Sequence, residues 1–320
     1  MRFPVLTLSR FATAVLILAL GAPLAVGLAA LSGIGHRWID ILAQFTGPAL
    51  MAGLGLTLMA GVTRLWPAAA AGGATSLILL GAGWPQWMPP DGIARAGAPS
   101  MTLYSANLLV RNRDVEAIAA SIAHSDADVV VLVETPVQVL AQLDTLLPDQ
   151  PYRVVETGGR YATDGTVIAS RRPVRKIEAR GGDNHVVAAV QTPLGEVTVF
   201  AVHLTRPWPY QYQWGQITQV MALDASAEGL TGPVILAGDF NSVSSARIGR
   251  QIRRDLGLVP VPGWPGTWPT RLPSVLGITI DQVYRSPALA VLQRRLGRPT
   301  GSDHRPVITR MTLSEPQPRP

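Results

Sequence analysis

The chain has 320 residues, no cysteine, 48% hydrophobic and 15% charged residues, which excludes thiol catalysis, zinc–thiolate sites, iron–sulfur clusters and a disulfide-stapled miniprotein, and leaves any metal to oxygen or imidazole ligands. The charged share is low against about 25% in ordinary globular proteins, so part of the chain is nearly charge-free and disorder throughout is excluded. The net charge of +6 divides evenly, because residues 97–320 hold 22 of the 27 basic and 19 of the 21 acidic side chains, and no concentrated basic face of a nucleic-acid binder stands out.

Residues 11–31 and 41–62 are charge-free runs of 21 and 22 residues, each long enough as a helix to cross a hydrocarbon core of about 30 Å. Residues 65–84 form a third charge-free run, richer in Ala and Gly, with Pro67 at its start and Trp66, Trp84 and Trp87 at its ends, where indole rings favour the headgroup region. Residues 1–84 therefore read as a membrane anchor of two or three spans. A cleaved signal peptide is the alternative for the first run, which is long for that role. Three spans with the N-terminus inside put residue 97 onward outside, on the periplasmic face of a bacterial inner membrane or in the extracellular space. With two spans the domain faces the cytoplasm. Gly53, Gly55 and Gly61 are candidates for close helix approach.

Residues 85–99 read as a Pro/Gly linker, residues 100–313 as one domain and residues 314–320 as a Pro-rich tail. In the domain, 101–110 reads as a strand, and Val115, Ile118, Ala119 and Ile122 at helical spacing predict a helix capped by Asn112 or Asp114. A buried strand at 128–133 and a second helix over 137–147 follow, then strands near 152–156, 166–170, 186–191 and 197–202. After a helix over 210–228 come a strand at 234–237, a helix within 244–256, and strands near 278–284, 288–296 and 307–311. Strands outnumber helices, which predicts an α/β or α+β sheet sandwich rather than an alternating barrel.

Polar residues fall where the apolar runs end. Asn107 lies on the first strand, Glu134 ends VVVLVE, His203 ends VTVFAVH, Asp239 and Asn241 follow VILAG, Asp281 sits inside ITIDQVY, and Asp303 and His304 precede RPVI. Strand ends of a sandwich can converge on one cleft, and carboxylates, imidazoles and amides gathered there suit a hard cation and an anionic substrate. Singly, Glu134 also reads as a solvated strand end, GDFN as a turn whose side chains bond local backbone, and SDH as a turn or cap. Asp281 in an apolar strand needs a cation, a donor or a proton, because an unpaired buried carboxylate is costly.

Taken in order, SANLL, DVVVLVE, TDGTVIASRRP, FAVHL, GDFN, TIDQV and GSDHRP resemble the motifs of the endonuclease/exonuclease/phosphatase family, which includes deoxyribonuclease I-type nucleases, neutral sphingomyelinases and inositol polyphosphate phosphatases. The resemblance spans roughly residues 100–312 and is strongest to membrane-anchored bacterial members. It implies a four-layer sandwich of two β-sheets flanked by helices. It also implies a Mg²⁺ site, with Mn²⁺ as the alternative ion, held by Asn107 and Glu134, with Asp303 binding directly or through water. Asp239 would orient or deprotonate the attacking water and Asn241 would hold a phosphate oxygen or that water. Asp281 would pair with His304, which donates to a phosphate oxygen or assists proton transfer, and His203 would donate to the phosphoryl oxygens.

Two positions depart from the family pattern: Leu109 stands where many nuclease members carry an acid, and Gln282 where a His is common. His36, His124 and His185 read as surface or membrane-edge residues. Arg111, Arg160, Arg206, Arg305, Trp208, Tyr210 and Trp214 lie near the motifs without a committed role. The expected function is a membrane-anchored, Mg²⁺-dependent phosphohydrolase acting on phosphodiesters or phosphomonoesters, its substrate a nucleic acid or a phospholipid. The alternative is a membrane-tethered binding module of the same fold that has lost its chemistry.

Overall fold

The first ninety residues form four helices: α1 (Phe3–Ser32), α2 (Arg37–Ala43), α3 (Thr46–Val62) and α4 (Trp66–Trp87). The computed structural model describes residues 3–158, 164–181, 185–207 and 214–315. Among them, residues 8–32 of α1 are long and apolar enough to cross a membrane, and α2 with α3 meets the same test only as a pair bent by 59°. α4 does not reach that apolarity, and its Ala/Gly composition has a packing reason. Leu79 and Ala68 are wholly buried, and a Cβ on Gly72 would lie 2.3 Å from Thr57 Oγ1, so small residues let α4 press against its neighbours. Gly53 faces Ser76 in the same contact, whereas Gly55 and Gly61 have open space around them.

Twelve strands follow among the described residues, interleaved with helices. In chain order they are β1 (Ser100–Asn107), α5 (Val115–Ser125), β2 (Val129–Pro136), α6 (Val137–Leu140), α7 (Leu143–Leu146), β3 (Tyr152–Thr157), β4 (Asp164–Ser170), β5 (Val174–Ile177), β6 (His185–Thr192) and β7 (Gly195–His203). Then come α8 (Trp214–Ala227), β8 (Val234–Asp239), α9 (Arg247–Asp255), β9 (Val259–Pro260), a 3-10 turn (Ser274–Leu276), β10 (Asp281–Arg285), β11 (Leu289–Leu296) and β12 (Val307–Leu313). They build two mixed six-stranded sheets, ordered β11-β12-β1-β2-β4-β3 and β5-β6-β7-β8-β10-β9.

The alternation along each strand decides the layers. Leu103, Val129, Val131 and Ile168 from one sheet meet Val199, Ala201, Ile235 and Val283 from the other. Tyr104, Val130 and Leu132 point the opposite way, onto Ile118 and Ile122 of α5, and Phe200, Leu236 and Tyr284 turn toward Val220 of α8 and Ile252 of α9. Strands buried on both faces read as unbroken apolar runs, which explains VVVLV and makes the fold the expected helix-flanked sandwich.

Several local outcomes differ from the sequence expectation. The helix expected over 137–147 is two single turns, α6 and α7. β5, with the sequence VRKI, is an exposed edge strand whose polar residues hid it. β10 begins only at Asp281, because Ile278 instead bridges Trp268. Asp114, not Asn112, caps α5, its side chain accepting from Ala117 N at 3.0 Å. α8 begins at Trp214, and residues 210–213 of the helix expected there lie outside the described residues.

α4 runs on to Trp87, and the segment after it lies stitched to the sandwich. Val291 N donates to Asp91 O at 2.8 Å, Arg95 N to Leu313 O at 2.9 Å and Glu315 N to Ile93 O at 2.8 Å. The buried Arg285 donates to Pro90 O and Leu289 O, both at 2.5 Å. The helices are thereby joined to the sandwich by hydrogen bonds as well as by the chain.

Candidate active site

Sheet register assembles one half of the site. β7 and β8 run parallel with His203 opposite Asp239, and β8 and β10 run antiparallel with Asp239 opposite Asp281. Three polar residues thus stand in one row across adjacent strands. Gly238, just before Asp239, has φ 141°, and a Cβ there would fall 2.0 Å from Val202 O, so only glycine lets β8 lie this close to β7 at that point.

The other sheet supplies Asn107 at the end of β1 and Glu134 at a bulge in β2, where the pairing with β4 shifts between Leu132 and Thr135. Glu134 has φ 48°, and bulges of this kind re-aim side chains beside active sites. Asn107 Nδ2 reaches Glu134 Oε1 at 3.1 Å and Asp239 Oδ2 at 3.0 Å, spanning the two sheets. Its Oδ1 accepts from Leu109 N at 2.9 Å. His203 Nε2 lies 3.2 Å from Glu134 Oε1 and 4.0 Å from Asp239 Oδ2.

His304, on the segment before β12, sets Nδ1 against Asp281 Oδ1 and Oδ2 at 3.0 and 2.9 Å. That is the partner the buried Asp281 carboxylate requires. The arrangement leaves His304 Nε2 facing the site, 4.0 Å from Asp239 Oδ2 and 3.9 Å from Asp303 Oδ1. Asn241, at φ 47°, donates its backbone N–H to Asp239 Oδ1 at 2.8 Å and its Nδ2 to Leu204 O at 2.9 Å. All eight residues singled out in the sequence converge here. Asp303 stands furthest out, its Oδ2 accepting from Trp268 Nε1 at 3.1 Å, and outside the tight carboxylate–imidazole clusters Glu134–His203–Asp239 and Asp239–Asp281–His304.

The charges push one another's protonation apart. Burial works to raise the Glu134 carboxyl, but the His203 hydrogen bond and charge, with the Asn107 amide, outweigh it and hold it at about 2. Burial would lower both imidazoles, yet the carboxylates win: Asp281 and Asp239 push His304 up to about 10, and Glu134 and Asp239 raise His203. Asp239 goes the other way, to about 6, because burial and the Asp281 charge raise it more than the imidazoles lower it. Carboxylates titrating so far apart in one cleft are the signature of divided acid and base roles.

The donor set also fits a hard divalent cation. Glu134 and Asp239 bring carboxylate oxygens to one point, and Asp303 Oδ1 is buried without a hydrogen-bond partner, as oxygen ligands for Mg²⁺ or Mn²⁺ would be. Beside the cluster opens a cavity of about 530 Å³ bounded by Glu134, His203, Asp164, Thr205 and Gln219.

Sequence reasoning missed Trp268, which holds Asp303, and Thr267, whose Oγ1 accepts from Asp281 N at 3.2 Å. The signal was the GWPGTWP run, which pairs two Trp-Pro units just before the Asp281 strand. His185 is not a surface residue as expected: it is buried, bonded to Ser226 Oγ at 2.8 Å and stacked on Phe200. Gln282 donates to Ser242 O, tying β10 to the GDFN turn. Arg305 grips the carbonyls of Pro269, Thr270 and Leu272, a structural task. Arg160, Trp208 and Tyr210 lie outside the described residues.

A two-sheet sandwich whose strand ends gather carboxylates and imidazoles around one cleft defines a class of phosphoester hydrolases. The sequence model of the Endonuclease/Exonuclease/phosphatase family matches residues 104–304, and the chain belongs to that family, whose members typically depend on a divalent metal. No curated protein matches the sequence. Among solved structures, an endonuclease/exonuclease/phosphatase from Beutenbergia cavernae is similar at 21% identity and TM-score 0.56, over 67% of this chain and 72% of that one. A family protein from Bacteroides thetaiotaomicron is similar at 16% identity and TM-score 0.53, over 68% and 99%. A humanized D. rerio TDP2 is similar at 15% identity and TM-score 0.51, over 66% and 98%. At these identities the likeness concerns the fold.

Proposed function

We propose that the chain is a membrane-anchored phosphohydrolase that cleaves phosphodiesters, with phosphomonoesters as the second substrate type. The observation that carries this reading is the approach of Asp239, the Asp281–His304 pair, Glu134 and His203 within one cleft. An inert scaffold would have no reason to keep so many mutually repelling carboxylates buried together. Anchoring is supported by the apolar α1 and by the joint apolarity of the bent α2–α3 pair.

In this reading Asp239 takes the proton of the attacking water, and Asn241, which braces Asp239 through its backbone N–H, holds that water or a phosphate oxygen. The water oxygen bonds to phosphorus, the bond from phosphorus to the leaving oxygen breaks, the departing oxygen takes a proton from solvent water, and Asp239 returns its own proton to solvent. His304, fixed through Nδ1 by Asp281, presents Nε2–H to a phosphoryl oxygen, and His203 donates from the Glu134 side. Glu134 and Asn107, with Asp303 directly or through water, would hold Mg²⁺ or Mn²⁺, and Asn107 Nδ2 also orients the Glu134 and Asp239 carboxylates. The bound cation supplies neutralisation of the charge that grows on the phosphoryl group.

The near ends of the helices, the connector after α1 at Gly35, α2 at Asp40, α3 at its start and α4 at its close, all meet the sandwich. Arg10 and Arg64 lie at the opposite end of the helices, and Arg37 and Arg95 at the sandwich end. Three crossings with the N-terminus inside would put the sandwich on the exoplasmic face, periplasmic in a bacterium with two membranes.

The test is release of nitrophenol from bis(p-nitrophenyl) phosphate by the full chain in detergent, with Mg²⁺, with chelator, and with Asp239→Ala. Turnover that needs both the cation and Asp239 is expected. Equal rates for wild type and variant on this diester and on p-nitrophenyl phosphate would overturn the catalytic reading and leave the binding module.

A further inference from the structure

The helices touch the sandwich through the same segments that carry the site. Beyond Asp239 and Asn241 come Ser245, whose Oγ donates to Gln86 Oε1 at 3.0 Å, and Arg247, whose N–H donates to Asp40 Oδ1 at 2.8 Å. Ahead of Asp281, Gly263 N donates to Gln86 O at 2.8 Å and Trp264 packs edge-on against Trp87, ring centroids 5.4 Å apart. A Cβ on Gly47, in the first turn of α3, would come within 2.8 Å of the Trp264 ring.

One loop of this junction has two edges. On its inner edge Thr270 N donates to Asp303 O at 2.9 Å, and Arg305, next to His304, donates to Thr270 O at 2.9 Å. On its outer edge Leu272 and Val275 are each 40% exposed, and Trp38, Leu42 and Phe45 of the α2–α3 elbow are similarly exposed. The two patches flank one junction: the 3-10 turn bearing Val275 packs against α3, and a Cβ on Gly47, two residues past Phe45, would lie 3.7 Å from Gly277 O. An apolar surface that extends the start of a candidate span, with Arg37 stacked 4.9 Å over the Trp38 ring, suits the headgroup layer of a bilayer.

We propose that the loop over residues 269–276 rests in the headgroup layer and that the substrate is a phosphodiester carried by a bilayer lipid, cleaved so that its phosphate-bearing headgroup leaves into water. This rests on the phosphodiesterase reading above and names its substrate. Charge points the same way. Among the described residues the cavity wall bears Glu134, Glu156, Asp164 and Glu178 against Lys176, His185 and His203, and Lys176 is itself paired with Glu156 and Glu178. Such a wall repels a polyanionic strand and accepts a headgroup with hydroxyls or an amine.

The experiment uses the full chain in vesicles of phosphatidylcholine, phosphatidylethanolamine and phosphatidylglycerol, with duplex DNA and bis(p-nitrophenyl) phosphate as parallel substrates. Release of organic phosphate from the vesicles is expected, reduced tenfold or more by Leu272→Asp with Val275→Asp while hydrolysis of the soluble diester is unchanged. Because the chain has no cysteine, Val275→Cys and Val137→Cys each accept a single polarity-sensitive fluorophore. The label at 275 should report an apolar setting in vesicles and the label at 137 an aqueous one. Intact vesicle lipid beside cleaved DNA or soluble diester, equal losses on lipid and soluble diester, or an aqueous signal at 275 would each overturn the proposal. Failure on every substrate, the soluble diester included, would instead remove the phosphodiesterase reading on which it rests.

Discussion

One half of the site hangs on β-ladders and the other on a loop, and the two are held by different forces. His203, Asp239 and Asp281 occupy one row of three adjacent strands, with Asp239 paired on both sides, so none can shift without disturbing the ladder that Asp239 centres. Asp303 has a side chain 44% exposed and is steadied by Trp268, on a segment that leans on Gln86 and Trp87 of α4. Function needing fixed geometry sits on the rigid half, and adjustment is left to the half whose support comes from the helices.

The comparison breaks first where the ladder half is altered. Asp239→Ala should lower diester turnover by about 10³-fold, within the range ascribed to a general base, with secondary structure unchanged by circular dichroism. Loss of less than tenfold would show that Asp239 only fills space. Asp281→Asn should cost less, about 10²-fold, because His304 stays but loses the charge that orients and protonates it. A pH–rate profile whose alkaline limb moves to lower pH in Asp281→Asn separates this positioning role from simple loss of fold.

Stability carries the same signature. His304 is raised from 6.5 to about 10, so its ion pair with Asp281 contributes fully below about 6.5 and is lost as pH rises through about 10. In chelator, the melting-temperature gap between wild type and His304→Gln should therefore narrow over that window. A constant gap would mean that packing, and not the ion pair, sets it.

Much of this was legible in the sequence, and the boundary of what was legible has physical causes. Strands buried on both faces leave apolar runs, and a polar residue ending such a run, as Glu134, His203 and Asp239 do, marks a site at a strand end. Asp281 announced its need for a partner because a buried carboxylate cannot stand alone. Register across the sheets is a long-range property, so the placing of His203 and Asp281 on either side of Asp239 could not be read from periodicity. β5 was hidden because an exposed edge strand needs few apolar residues. Trp268 and His185 were missed for a shared reason: an indole N–H or imidazole held by one hydrogen bond leaves no local pattern. The helices read as an anchor by their apolarity, but nothing in a single run shows that Asp40 and Gln86 would bond the catalytic loops.

The loop half should answer with smaller effects. Trp268→Phe keeps the ring and removes the hydrogen bond to Asp303, worth about 0.5–1.5 kcal/mol or more to a charged acceptor. Diester turnover should fall by about threefold to tenfold, with the metal concentration for half-maximal rate raised and the fold unchanged.

The smallest effect tests the link to the helices. The first turn of α9 has no side-chain cap of its own, since Ala246 stands at that position, and Asp40 reaches across from α2 to accept from Arg247 N. Capping bonds of this kind contribute about 1 kcal/mol. Asp40→Ala should therefore lower the melting temperature of the full chain by about 2–4 °C. Its rate on the soluble diester should change less than in Trp268→Phe, because α9 follows Asp239 but holds no site residue. An activity loss larger than that of Trp268→Phe would reverse the comparison, making the contact with the helices a determinant of the ladder half as well.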